Sequence, residues 1–243
     1  MASLSQVHSP VAAVIFDLDG TLFDHQDAAT RGVAGLTEQL GVQFTTELGA
    51  AWFAAEVRHV QSWLSGTCSW REQRRRRLQD FLPLIGVEAV VDEAELDRLF
   101  DLYLDGYQQA WAPFPDAAPA LRAVRAAGYQ VAVLTNGQRQ QQLAKLKRIR
   151  LLELVGPIWA ADDLGAAKPD PRTYLTVCDQ LGVRPLQAVY VGDNFAHDVE
   201  GAEGAGLRAV FVDRREGGPV DYRPRISTLK HLLRAVEALG VHG

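Results

Sequence analysis

Two aspartates two residues apart, Asp17 and Asp19, close the apolar run Val11 to Phe16 and lead into Gly20-Thr21. Side chains alternate along a strand, so carboxylates at i and i+2 of a strand end point the same way. Their mutual repulsion calls for a cation or a shared proton. Gly20 permits a tight turn and a close backbone approach to a ligand, and the Thr21 hydroxyl can hold that turn or a phosphate oxygen. An ordinary Asp-rich turn carries the same signature, so the meaning of this one depends on what else the chain brings to it.

Three further stretches bear on that. Thr135-Asn136-Gly137 follows the apolar run ending at Leu134, where a strand becomes a helix. Its hydroxyl and free N–H groups either bind an anion at the helix N-terminus or simply cap the helix. Lys168, one of four lysines, precedes Pro169-Asp170-Pro171. Its ammonium either neutralises a phosphoryl group and the crowded aspartates or is a solvated loop charge. Gly192-Asp193-Asn194, with Asp198 five residues beyond Asp193, adds carboxylates beside a tight turn. Hard oxygen ligands with solvent access suit Mg²⁺, and a turn followed by a helix cap is the structural alternative. His197 is the one histidine in these stretches and they hold no cysteine, which disfavours zinc.

The elements that must carry these residues follow from periodicity. After Thr21 the pattern is helical over 27–40, 48–64, 70–81 and 93–110, which predicts a helical insert from about His25 to Trp111. Beyond Pro113-Phe114-Pro115 strands and helices alternate. Asp116 is expected to cap a helix over 117–127, and strands are expected at 130–134, 158–160, 188–191 and 208–212. Helices are expected at 138–148, 171–181, 198–205 and 228–239. Alternation of this kind predicts an α/β fold with a doubly wound parallel sheet covered on both faces. The carboxyl ends of its strands then bring Asp17, Thr135 and Asp193 to one crevice.

The totals agree with one core domain carrying an insert: 243 residues, 47% hydrophobic, net charge -5. A mildly acidic chain gives no global attraction to nucleic acid. Cys68 and Cys178, the only cysteines, fall in different predicted domains, so no disulfide framework is expected. Residues 1–10 read as a tail without a signal pattern, and no run approaches the roughly eighteen apolar residues of a membrane helix. The expectation is a cytoplasmic protein with no membrane partner, as a monomer or a dimer.

Taken together, Asp17-Leu18-Asp19-Gly20-Thr21, Thr135, Lys168 and Gly192-Asp193 with Asp198 resemble, in order, the four motifs of the haloacid dehalogenase superfamily. The branch is the one whose helical cap is inserted after the first core strand. The resemblance implies a Rossmann-like core at 1–24 and 112–243 and an α-helical cap at 25–111. It implies phosphoryl transfer with Mg²⁺, with Asp17 as the nucleophile and Asp19 as the acid and base. Thr135, the N–H of Asn136 and Lys168 would bind the phosphoryl oxygens. Mg²⁺ would be held by Asp17, the backbone carbonyl of Asp19 and Asp193, with Asp198 behind them or reaching through water.

The expected activity is a phosphatase acting on a small phosphorylated metabolite. The alternatives are a phosphomutase of the β-phosphoglucomutase kind, a haloacid dehalogenase, which does not need the leaving-group acid Asp19, and a phospho-acceptor signalling module, which the long insert argues against. In the cap, the absence of lysine between His25 and Pro113 removes any Schiff base of the phosphonoacetaldehyde hydrolase kind. Arg71 and Arg74 to Arg77 form a salt-bridged face or send one or two arginines to a second anionic group of the substrate. Trp52, Phe53, Trp63 and Trp70 are expected in the cap core.

Overall fold

In the computed structural model, which describes residues 10–88 and 92–241, the strand β1 (Ala13–Phe16) buries all four of its side chains. A short run that is apolar at every position is what a central parallel strand requires, because both of its faces are covered. It pairs in parallel with β2 (Gln130–Thr135) on one side and β4 (Ala188–Gly192) on the other. β3 (Ile158–Ala160), β5 (Arg208–Val212) and β6 (Arg225–Ile226) complete a six-stranded parallel sheet in the order β3-β2-β1-β4-β5-β6. Ile15, Ala132, Leu134 and Tyr190 pack with Tyr174, Val177 and Cys178 of the helix Pro171–Leu181 in one core cluster. The helix α5 (Ala117–Ala126) packs on β2, and the C-terminal helix Leu232–Val241 packs on α5 and on β5.

The order reverses at β1, the point where the chain leaves once toward β2 and β3 and once toward β4 to β6. Open α/β sheets bind ligands beyond the carboxyl ends of the strands at such a switch point. β1, β2 and β4 end there on Phe16-Asp17, Thr135 and Gly192-Asp193.

The chain divides into two compact units, Met1–Phe23 with Pro113–Gly243, and Asp24–Ala112. The second unit consists of α1 (His25–Gln39), α2 (Thr46–Leu64), α3 (Trp70–Phe81) and α4 (Glu93–Gln109), with α1 against α4 and α2 against α3. Each helix starts on a side chain that accepts from the first turn: Asp24, Thr45, Ser69 and Asp92. Trp52 is fully buried and packs on Phe81, Phe100 and Tyr103, whereas Phe53, Trp63 and Trp70 are half-buried.

Several boundaries differ from the sequence expectations. β6 has two residues, too few to leave a period in the sequence. The segment after Asn194 opens with a π-helical turn, Phe195–Glu200, before the short α-helix Gly201–Gly204. Asp116 does not cap the helix that follows it; its carboxylate instead accepts from Arg214, Thr228 Oγ1 and the N–H of Leu229. An aspartate before a helix is a generic cap signal, and the paired guanidinium is the stronger partner. The expected tail lies, up to residue 9, outside the described residues.

Candidate active site

The backbone N–H of Asp17 donates to the Val191 carbonyl, which ties the end of β1 to β4 and sets the Asp17 carboxylate beside the β4 turn. Asp17 is buried, and an unpaired carboxylate in that position would cost several kcal/mol. Lys168 meets it: the buried Nζ donates to Asp17 Oδ1 at 2.7 Å, to Asp198 Oδ1 at 2.7 Å and to the Tyr190 hydroxyl at 2.7 Å. Tyr190 in turn donates to the Leu134 carbonyl at 2.6 Å, so the ammonium is anchored across β2 and β4.

Asp193 joins the group from the other side. Thr21 Oγ1 donates to Asp193 Oδ1 at 3.3 Å, and the N–H of Asn194 donates to Asp198 Oδ2 at 2.9 Å. Oxygens of Asp17, Asp193 and Asp198 all lie within 4.8 Å of one another. Two glycines make this approach possible. A Cβ on Gly20, whose φ is +91°, would overlap the Asp193 carboxylate, and one on Gly192 would overlap Asp198.

One ammonium thus serves three carboxylates. Burial pushes Asp17 well above the usual carboxylate range; Lys168 pulls it back, and Asp198 and Asp193 push it further up. Asp193 is exposed on one side, yet loss of hydration on its inner side and then the Asp198 charge push it up to about 7. Burial would lower Lys168, but Asp17 and Asp198 outweigh it and hold the ammonium charged. The surplus is negative, and every donor is a carboxylate oxygen, the set that a small divalent cation such as Mg²⁺ takes.

Thr135 stands at the end of β2 with its hydroxyl accepting from the N–H of Gly137 at 3.1 Å. It is not the cap of the next helix, α6 (Arg139–Arg148), whose cap is Gln138. The Asn136 side chain is spent on the loop that carries Lys168: it donates to the Lys168 carbonyl at 2.9 Å and accepts from the Lys168 N–H at 2.8 Å. Asp19 is held by two residues of α6 with no counterpart in the sequence expectations. Gln142 Nε2 donates to its Oδ2 and Lys145 Nζ to its Oδ1, each at 2.6 Å. No sequence signal set them apart, because this helix is polar at most positions, Arg139 to Gln142, Lys145, Lys147 and Arg148 among them, and the separation of more than 120 residues hid the partner.

In the helical unit the arginine cluster is engaged internally. Arg75 pairs with Asp97 and Glu93, and Arg71 and Arg76 approach Asp97 and Glu72. Arg74 lies over the rings of Trp70 and Phe100. Arg77 is buried over the Trp52 ring with its Nη2 3.1 Å from Glu56, whose other oxygen lies 3.2 Å from His25 Nε2.

A family model described as haloacid dehalogenase-like hydrolase matches residues 11–206. The chain is 32% identical to (S)-2-haloacid dehalogenase 4A of Burkholderia cepacia, over 93% of this chain and 92% of that protein. It is 29% identical to a ribulose-1,5-bisphosphate 5-phosphatase of Halopiger xanaduensis, over 94% and 96%. Among solved structures, a HAD-hydrolase from Bacillus subtilis, YfnB, matches with a TM-score of 0.79 and 20% identity, covering 94% of this chain and all of that one, which speaks to the fold alone.

Proposed function

The chain belongs to the haloacid dehalogenase-like hydrolases, and from that premise we propose that it is a Mg²⁺-dependent phosphatase of a small phosphorylated metabolite, working through a phosphoryl group carried on Asp17. The observation that carries this reading is the surplus of carboxylates around Asp17. A dehalogenase needs an ionised nucleophile facing a carboxylate substrate, and two further aspartates beside it oppose both requirements. A phosphatase uses the same surplus to hold a divalent cation. Asp17 and Asp193, with the backbone carbonyl of Asp19, would hold Mg²⁺, and Asp198 would sit behind them, since Lys168 and the Asn194 N–H already occupy its oxygens. When bound, the cation supplies the positive charge that lets an anionic nucleophile meet an anionic phosphate.

In the first half of the reaction the Asp17 carboxylate attacks phosphorus in line with the ester oxygen. The P–O ester bond breaks as the new Asp17–P bond forms, and Asp19 gives a proton to the departing alkoxide. In the second half, water attacks the phosphoryl-Asp17 and yields its proton to Asp19. The bond to Asp17 breaks, and inorganic phosphate leaves. Lys168, the Thr135 hydroxyl and the N–H of Asn136 bind the phosphoryl oxygens, and losing one such donor typically raises the barrier by about 3 kcal/mol. Asp19 is the group that separates this scheme from halide displacement, because a halide departs without a proton.

The second reading, a 2-haloacid dehalogenase, is favoured by the 32% identical relative from Burkholderia cepacia. A panel of phosphate monoesters, assayed for phosphate with Mg²⁺ and with EDTA and run beside 2-chloropropionate assayed for chloride, separates the two. Phosphate release that EDTA abolishes is the expected result; chloride release without phosphate release would overturn the proposal.

A further inference from the structure

Lys145 is a buried cation to which the reaction scheme gives no task. It lies on α6 three residues after Gln142, so the two share a helix face. Both side chains converge on one carboxylate: Lys145 Nζ donates to Asp19 Oδ1 and Gln142 Nε2 to Asp19 Oδ2, each at 2.6 Å. The same Gln142 nitrogen donates to Thr135 Oγ1 at 2.8 Å. Gln142 therefore bridges the residue assigned to proton transfer and one assigned to phosphoryl binding.

Nothing about packing asks for these residue types. Gln142 is 1% exposed and Lys145 2%. The Lys145 ammonium lies 4.8 Å from the centroid of the Phe23 ring, a cation–π contact standing in for lost water. Gln142 Oε1 is buried without a hydrogen-bond partner among the described residues, a desolvation cost that a leucine would avoid. Gly137 leaves the space the amide fills, since a Cβ there would overlap it. A glutamine and a lysine kept in such a place serve the group they hold.

We propose that Gln142 and Lys145 are positioning residues for the second half of the reaction. They fix the Asp19 carboxylate in the orientation from which it takes a proton from the attacking water, and Gln142 ties that orientation to Thr135. In that step the water oxygen bonds to phosphorus and the Asp17 Oδ–P bond breaks. Its electron pair stays on the Asp17 carboxylate, and the water proton passes to Asp19. A carboxylate oxygen carries two lone pairs, so accepting from a donor on one does not by itself bar proton transfer to the other. The inference rests on the phosphatase reading. It predicts an asymmetry that a merely structural role would not give. Transfer of the phosphoryl group from an ester with a weakly basic leaving group needs little help from an acid, so it survives the loss of the clamp. Hydrolysis of phosphoryl-Asp17 does not.

The test follows 4-nitrophenyl phosphate in rapid mixing with Mg²⁺ for wild type, Gln142→Leu, Lys145→Met and Lys145→Arg, with intact-mass analysis of acid-quenched samples. The expected result for Gln142→Leu and Lys145→Met is a burst of about one nitrophenolate per active site, then a steady rate roughly 10²-fold below wild type, the scale of a displaced general base. The quenched protein gains the mass of one phosphoryl group, and Lys145→Arg recovers most of the steady rate. A folded Gln142→Leu or Lys145→Met variant, either one sufficing, that slows without a burst, or that matches wild type, overturns the inference. Wild-type protein that releases nitrophenolate and phosphate keeps the phosphatase reading standing in that case; wild-type protein that releases neither from any monoester fails the reading itself.

Discussion

A single ammonium touching two carboxylates and a tyrosine hydroxyl, with a third carboxylate alongside, is the smallest unit that explains this site. Lys168 donates to Asp17, the proposed nucleophile, and to Asp198, and its removal takes that ammonium from both buried carboxylates. Lys168→Met is therefore expected to cut kcat by at least about 10³-fold, because in the proposed reaction it removes a phosphoryl donor and the counter-charge of Asp17 together. The check is the steady-state rate on the best monoester of the panel, and retention of a tenth of the activity would contradict the role. Gly192→Ala tests the geometry rather than the charge. The added Cβ overlaps the Asp198 carboxylate, so kcat should fall about 10²-fold, as a displacement of about 1 Å in a catalytic group does, with near-normal expression of folded protein. Asp17, Thr135 and Asp193 were legible in the sequence because each follows an apolar run, where residue type and position coincide, whereas Lys168 and Asp198 gained meaning only beside them. Gln142 and Lys145 were not legible, because their meaning lies in the rotation of a helix against a strand more than 120 residues away.

At the scale of elements, the turns that hold the site depend on a clamp away from it. Asp116, ahead of the helix Ala117–Ala126, accepts two hydrogen bonds from Arg214 after β5, and one each from Thr228 Oγ1 and the Leu229 N–H ahead of the last helix. Arg214 also donates to the carbonyl of Thr21, whose hydroxyl holds Asp193. Asp116→Ala strands the guanidinium, and a loss of about 3 kcal/mol in unfolding free energy is expected from denaturant titration. Its pH dependence has a defined sign. Burial pushes Asp116 up, but Arg214, Thr228 and Leu229 together outweigh it and hold the carboxyl below its ordinary value. A depressed folded-state value contributes stability above the unfolded value of about 3.9 and loses it as the pH falls further through the folded value. Asp116→Asn should therefore flatten the loss of stability below about pH 4, and an unchanged acid limb would contradict the clamp. Composition made Asp116 look like a helix cap because nothing local reveals a partner 98 residues on. The helices of the insert, by contrast, were legible from three- and four-residue spacing, and their first residues lie within two of the expected starts. Among them α3 carries its arginines as ties to α4 and to the ring cluster. Arg75→Ala should lower Tm while leaving the ratio of rates on mono- and diacidic phosphates unchanged. A selective loss on diacidic substrates would give Arg75 a substrate role instead.

At the scale of the molecule, a parallel sheet of order β3-β2-β1-β4-β5-β6 gathers chemistry from positions 17, 135, 168 and 193 onto one edge. A doubly wound parallel sheet could be read from alternating apolar runs and helical periods; its strand order could not, nor could two-residue β6 and the π-helical turn at Phe195–Glu200, which are too short to leave a period. A site with surplus negative charge also makes stability of the whole chain sensitive to cations. Mg²⁺ at about 100 times its dissociation constant should add about 2.7 kcal/mol to metal-free protein, read as a rise in Tm, and Asp193→Asn should remove most of that rise. An equal rise in wild type and variant would place the cation elsewhere. The central claim, that Asp17 itself accepts the phosphoryl group, is tested most directly by acid-quenching the enzyme during turnover of a radiolabelled monoester and mapping the label on its peptides. The account predicts label on the peptide bearing Asp17 and none in Asp17→Asn, which stays folded and inactive; phosphate release with no label on that peptide, or turnover by Asp17→Asn, would contradict it.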